Sequence, residues 1–406
     1  MGFKAWVLII ISIVYLYNLL LDMIRMRSAE NPIPENVADV YDRETYGKWR
    51  SYHTEKTRFD ILTSTVSFAI DFCLMALNAY AAFAGLFPKT DFMQLFAVVL
   101  LSSLTSILMI PFSWHETMGI EEKYGFNKSK AGTFWADQLK SFLIGLILMT
   151  GICALLMVVH QALGDWLILV FAGLMMLLVL AISFLFPILS KVFNKFKPLE
   201  DGELKERLTA LLEKNGYKVR GIKVMDASRR TTKSNAYFTG FGKMKTIVLY
   251  DTLVESMTPD EICAVFAHEM GHGLHKDTLK NQILSFFQML ILAVLAWLTL
   301  RTAELFIPFG FEGINYGFAI LLIMSVEFAL ISPLFGLVAS WHSRKAEYRA
   351  DEQAVKEGYG EALISALKTL ARQNYADLSP SPLLVKLEYS HPTLSQRIDA
   401  IRNEKH

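Results

Sequence analysis

The sequence predicts a mainly α-helical membrane protein that crosses the bilayer seven times, and three observations predict it. Over half of its 406 residues are hydrophobic (53%), only 19% are charged, and the mean hydropathy is +0.34, more apolar and less charged than a soluble globular chain. Second, the excess is concentrated in runs without Asp, Glu, Lys or Arg: Ala5 to Leu21, Phe92 to Trp114, Ser141 to Leu163, Trp166 to Ser190 and Asn281 to Leu300. Most are long enough to cross hydrocarbon as a helix. Third, basic residues alternate from loop to loop, as the positive-inside rule requires.

Taken in order, the first span is the shortest, and no small-residue cleavage site follows it to suggest a removed signal peptide. The second, Ile61 to Phe87, holds one acid, Asp71, and the seventh, Ile314 to Trp341, holds Glu327. A carboxylate inside a span is expected to face a cavity or a neighbouring helix instead of lipid. Arg25, Arg27, Arg43, Lys48, Arg50, Lys56 and Arg58 lie between spans one and two, and Lys123, Lys128, Lys130 and Lys140 between three and four. The alternate connections carry only Lys4, Lys89 and Arg301, so the amino terminus is expected outside. The division is then 1–190 with spans one to five, a cytoplasmic segment 191–280, spans six and seven in 281–341, and a cytoplasmic segment 342–406.

Cys73, Cys153 and Cys263 sit singly in apolar surroundings, without metal-type spacing, and are expected to be inert packing residues. A net charge of +1 gives no basic field for nucleic acid, and no nucleic-acid role is indicated.

The chemistry is concentrated in AHEMGHGLHKD, Ala267 to Asp277. Upstream, Thr258-Pro259-Asp260-Glu261 reads as a capping box with proline at the first helical position, so a helix begins there. On that helix His268 and His272, four apart, project from one face, and Glu269 is placed to act as general base on a metal-polarised water. The five-residue pattern would arise by chance in roughly one such chain in a hundred, so context has to decide it. His275 and Asp277 read as ordinary solvated or packing residues. A hydrolytic zinc needs a third protein ligand. In SRKAEYRADE, Ser343 to Glu352, Glu347 and Asp351 share a helical face; one carboxylate could reach the metal while the other orients a histidine. Spacing alone leaves this level with a plain charged helix beside a span. Two crossings between His272 and Glu347 do return the chain to the side it left.

From about Asn31 to Arg402 the sequence resembles the integral-membrane zinc CAAX prenyl endopeptidases of the a-factor-converting and prelamin-processing type. The resemblance rests on EEKYGFNKS (Glu121 to Ser129), SNAYFTGFGKMKTIVLYDTL (Ser234 to Leu253), HEMGH, EYRAD (Glu347 to Asp351) and SHPTLSQRI (Ser390 to Ile398). It implies one Zn²⁺ per chain on His268, His272 and Glu347, with Glu269 as the base and Asp351 in support. It also implies a substrate-contacting edge at Asn235, Ala236 and Tyr237, in a strand-like stretch to Gly240, where an extended peptide can pair main chain to main chain. His391 and Arg397 match residues near the metal that could donate to an oxyanion. The implied fold is a ring of seven helices around a chamber, capped by a gluzincin-type protease domain with a small β-sheet. The implied substrate is a prenylated protein or peptide reached from the bilayer. A membrane quality-control metalloprotease without a prenyl requirement is the runner-up; a channel or transporter with a structural zinc domain is a third reading, opposed by Glu269, for which a closed zinc site has no use.

Overall fold

The computed structural model describes residues 1–219, 221–239 and 246–403. Among these, six helices are long and apolar enough to span a membrane, and a shorter apolar stretch, Val170–Ile182, lies within a further helix. They correspond to the seven expected crossings: α1 (Phe3–Ser28), α2 (Arg43–Ala76), α3 (Asp91–Leu108), α4 (Ala131–Leu163), α5 (Leu167–Phe193), α8 (Asp277–Leu300) and the helix leading into α9 (Phe328–Lys356).

Two spans are less regular than their apolarity suggests. The second ends at Ala76, where Asn78 takes the left-handed conformation (φ 58°) before a short helix, Ala79–Ala84. Asn tolerates that conformation better than most residues, and hydropathy does not register it. Lys4 seals the break, its Nζ donating to the Ala76 carbonyl and to Asn78 Oδ1, each at 2.6 Å. The seventh runs from Tyr316–Leu322 through a π turn at Ile323–Glu327 into α9. Glu327 Oε1 there accepts from the buried Thr299 of α8 at 2.7 Å, so this acid pairs with a neighbouring helix, whereas Asp71 is exposed. Cys153 and Cys263 are buried as expected of packing residues; Cys73 is exposed and is not one.

The membrane core gathers Val7, Leu95, Leu156 and Phe318 from different helices, with Phe306 and Phe309 from the connection that follows α8. Outside it, a four-stranded sheet of order β1-β2-β4-β3 is built from β1 (Phe196–Pro198), β2 (Gly221–Met225), β3 (Ala236–Thr239) and β4 (Thr246–Tyr250). β2 and β4 are parallel and the outer pairs antiparallel, which leaves β3 at an edge. Helix α6 (Glu203–Lys214) and α7 (Pro259–Leu274) complete this half, followed by α10 (Gly360–Gln373) and α11 (Leu394–Asn403).

Helix α7 is held from two sides. Phe266, Met270 and Cys263 pack with Ile247, Leu249 and Leu208, while Ala264 and Ala267 meet Trp49, Leu363 and Ile398. Burying a large apolar side chain such as Phe266 contributes about 1.5–3 kcal/mol. The position of α7 is thereby fixed by the sheet on one flank and by α2, α10 and α11 on the other.

Candidate active site: a metal centre between two helices

The start of α7 follows from its first four residues. Thr258 Oγ1 accepts from the Glu261 backbone and Glu261 Oε2 accepts from the Thr258 N–H at 2.8 Å, the reciprocal capping box, with Pro259 at the first turn. Three turns on, the face left open by packing carries His268, Glu269 and His272.

The third group arrives on α9, which leaves the membrane without a break and presents Glu347 to that face. His268 Nε2 lies 3.6 Å from Glu347 Oε2 and His272 Nε2 lies 3.3 Å from Glu347 Oε1. One donor atom from each of the three falls within 4.8 Å of the others. The opposite ring nitrogens are occupied: His268 Nδ1 meets Asp351 Oδ1 at 2.8 Å, and His272 Nδ1 meets Asp277 Oδ2 at 3.2 Å. Carboxylates at Nδ1 fix each ring's orientation and turn Nε2 inward as a ligand. Glu347 Oε2 is buried without a hydrogen bond and has Arg397 Nη1 at 3.3 Å, so a metal ion would complete its partners. Two imidazoles and a carboxylate, each oriented from behind, suit a divalent metal, and this donor set fits zinc.

Charge is arranged to match. Burial pushes the Glu347 carboxyl up, but the hydrogen bond with His272 and the charges of His268 and Arg397 outweigh it and bring it to about 2. Glu269 moves the other way: burial raises its carboxyl, and the neighbouring histidines only partly offset this. A carboxylate with raised proton affinity is better matched to accepting a proton near neutral pH.

Arg397 is buried, with Nε on Asp351 Oδ2 at 2.9 Å, Nη2 on Asp351 Oδ1 at 2.6 Å, and Nη1 at 3.3 Å from Glu347 Oε2. His391 is more open, its side chain 62% exposed and its Nε2 3.4 Å from Glu347 Oε1. Asn235 is exposed just before β3, Ala236 is buried and Tyr237 half-buried. β3 lies against α7, and the sheet ends at its outer edge. Gly240 of the expected strand lies outside the described residues. The EEKYGFNKS segment braces the approach to β3: Tyr52 donates to Glu121 Oε1 at 2.6 Å, Lys233 reaches Glu121 Oε2 at 3.2 Å, and Asn127 bridges to Thr231.

Two contributors escape a sequence reading. Asp277 is buried, not a solvated neighbour, and is itself held by Arg349 at 2.9 Å. Gly271 is the other: a Cβ there would stand 2.9 Å from the Ala350 Cα and 3.0 Å from the Gln353 Cβ, so α7 and α9 approach this closely only because position 271 has no side chain.

Comparisons with known proteins identify the family. Residues 198–405 match the model of peptidase family M48, and residues 23–195 match the CAAX prenyl protease N-terminal model, described as five membrane helices. The chain belongs to the M48 peptidase family. Among M48 relatives it is 31% identical to CAAX prenyl protease 1 homolog of Arabidopsis thaliana, across 97% of this chain and 96% of that one. With CAAX prenyl protease 1 of Saccharomyces cerevisiae it shares 32% identity over 92% and 89% of the two chains. The crystal structure of S. mikatae Ste24p is similar with a TM-score of 0.90 at 29% identity, covering 99% of each chain. The family assignment makes this an integral multi-pass membrane metalloendopeptidase, and His268, His272 and Glu347 form a group that could hold its metal ion.

Proposed function

We propose that this M48 peptidase uses one zinc ion, held by His268, His272 and Glu347, to cleave prenylated CAAX-type substrates near their carboxyl terminus. The observation that carries the reading is the donor triangle itself: two Nε2 atoms aimed at one carboxylate, each ring held from behind by a further acid. When bound, zinc supplies Lewis acidity, polarising the scissile carbonyl and acidifying a water. Glu269 takes that water's proton and passes it to the leaving amine. Asp351 and Asp277 hold the two ligand histidines in the required tautomer and orientation. Arg397, already forked onto Asp351, acts as a positioning residue for that carboxylate, while the more open His391 is the group placed to donate to the developing oxyanion. The edge of β3, with Asn235, Ala236 and Tyr237, aligns the substrate as an added strand. The protease segments, 191–280 and 342–406, face the cytoplasm, in keeping with the basic loops on that side.

Prenyl selectivity would come from the tether. Burial of as few as four methylenes of an isoprenoid, at about 0.8 kcal/mol each, is worth about 3 kcal/mol, on the order of a hundredfold in binding. Purified protein assayed on a farnesylated CAAX peptide and its unprenylated twin should show that difference chiefly in KM. 1,10-Phenanthroline should abolish both reactions. Equal efficiencies would remove prenyl recognition and favour a quality-control endopeptidase with the same metal chemistry.

A further inference from the structure

We propose that the aqueous end of α2 carries a binding site for the head group of an anionic phospholipid, in a cavity that shares no lining residue with the candidate metal site. The cavity, about 580 Å³, is lined by Gly47, Arg50, Ser51, Thr54, Glu55, Arg58, Lys123 and Tyr124, of which Arg50, Thr54 and Arg58 recur every fourth residue along one face of the helix. Three cations thus meet one acid. That acid is already spent: Glu55 Oε2 accepts from Lys123 Nζ at 2.7 Å and from the Tyr124 hydroxyl at 2.8 Å.

The two arginines are left with positive charge to offer. Arg50 reaches Glu30 only at 3.5 Å with its side chain 53% exposed. Arg58 is exposed and, among the described residues, has no carboxylate, carbonyl or ring partner. The contrast is Lys56 on another face of the same turn, held by Asp60 at 2.6 Å and Glu116 at 2.8 Å. One guanidinium with only a long contact to an exposed acid and another with none, beside hydroxyls such as Ser51 and Thr54, suit a phosphate, which an arginine can grip with two parallel N–H bonds.

Depth selects the source of that phosphate. Arg58 precedes the apolar run starting at Ile61 by three residues, about 4.5 Å of helix rise. The polar head-group layer of one leaflet is about 5–8 Å thick, so the Arg58 guanidinium lies among lipid phosphates, with the hydroxyls and Arg50 further out to meet the rest of a charged head. A soluble phosphate compound would have no reason to find its cation at that level.

The test uses full-length, detergent-purified protein stripped of lipid, with dioctanoyl phosphatidylglycerol, dioctanoyl phosphatidylcholine and inorganic phosphate as probes, each titrated by thermophoresis. Phosphatidylglycerol should bind at least about tenfold more tightly than either of the others, and its affinity should fall steeply with salt. The variant R50Q/R58Q should lose about thirtyfold in that affinity, the loss expected for two surface cations, while metal content and thermal midpoint stay at the parental values. Arg58→Glu alone, at an exposed position, should weaken it further than Arg58→Gln. Unchanged affinity in either arginine variant overturns the site; phosphatidylcholine binding as well as phosphatidylglycerol, or free phosphate binding as tightly as the lipid, overturns the lipid assignment. Because none of these readouts involves peptide cleavage, the outcome is separate from that of the proposed protease function.

Discussion

Replacing Gly271 by alanine tests whether the metal site depends on the close crossing of α7 and α9. The added Cβ would sit 2.9 Å from the Ala350 Cα and 3.3 Å from its carbonyl oxygen, both backbone atoms that cannot rotate away. Carbon atoms rest at about 3.5–4.0 Å, so the two helices must separate by about 0.6–1 Å. Gly271 adjoins His272, and Ala350 is three residues beyond Glu347, so the same displacement opens the gap between two of the proposed metal donors. Metal–ligand distances tolerate only about 0.2 Å. The expected result is a loss of 1–3 kcal/mol in stability, typical of about one overpacked methyl, and a drop of about 10–100-fold in metal affinity. Thermal melting and metal retention against a graded chelator read these two quantities. Gly273→Ala is the control: its Cβ would strike the Tyr217 hydroxyl end, a side chain that can be removed. Tyr217→Ala should therefore rescue Gly273→Ala and fail to rescue Gly271→Ala. A Gly271→Ala protein that melts and holds metal like its parent would refute the reasoning.

Other outcomes follow from the same geometry. Glu269→Gln should keep its metal yet lose about 10²–10⁴ in kcat, and a variant with either no metal or parental turnover would remove Glu269 from the role of base. His268→Ala and Glu347→Ala should lose metal and activity together; metal analysis of an active, fully loaded Glu347→Ala protein would exclude it as a ligand. Asp277→Asn, which weakens the hold on His272 Nδ1, should lower metal affinity by about 10–100-fold, checked by the same chelator competition. For orientation, single cysteines near Lys89 and Pro308 should label from outside sealed cells in a background without the three native cysteines, whereas one near Lys214 should stay protected.

What could be read from sequence was what depends on near neighbours. The capping box at Thr258 and Glu261 and the four-residue spacing of His268 and His272 are local, and they appear as written. Glu347 and Asp351 could not be told apart by spacing because both lie on one face of α9. The fold uses both, one at the Nε2 side of the histidines and the other behind His268 Nδ1. Asp277 was misread because it lies beyond the end of α7. Only the left-handed turn at Lys276 (φ 56°) brings its carboxylate back to His272, and a lysine gives no hint of such a turn. Arg397 is reached from sequence only through the family resemblance and Gly271 not at all, because both act through contacts with distant segments, which no periodicity encodes.

Those distant contacts also explain why such a site belongs in a membrane. The residues around the metal come from α7, which is followed at once by the membrane helix α8, from α9, which emerges from the bilayer as one rod, and from α11 through Arg397. Asp277 opens α8 and braces a ligand on α7, while Arg349 of α9 braces Asp277 in turn. Moving α8 relative to α9 within the bilayer therefore moves the Asp277 carboxylate relative to Glu347, the proposed ligand. A soluble domain would have to supply that rigidity from its own core. Here the packing of the spans supplies it, and the Thr299–Glu327 hydrogen bond, between the far end of α8 and the π turn that leads into α9, is one of the contacts that fix these two elements against each other.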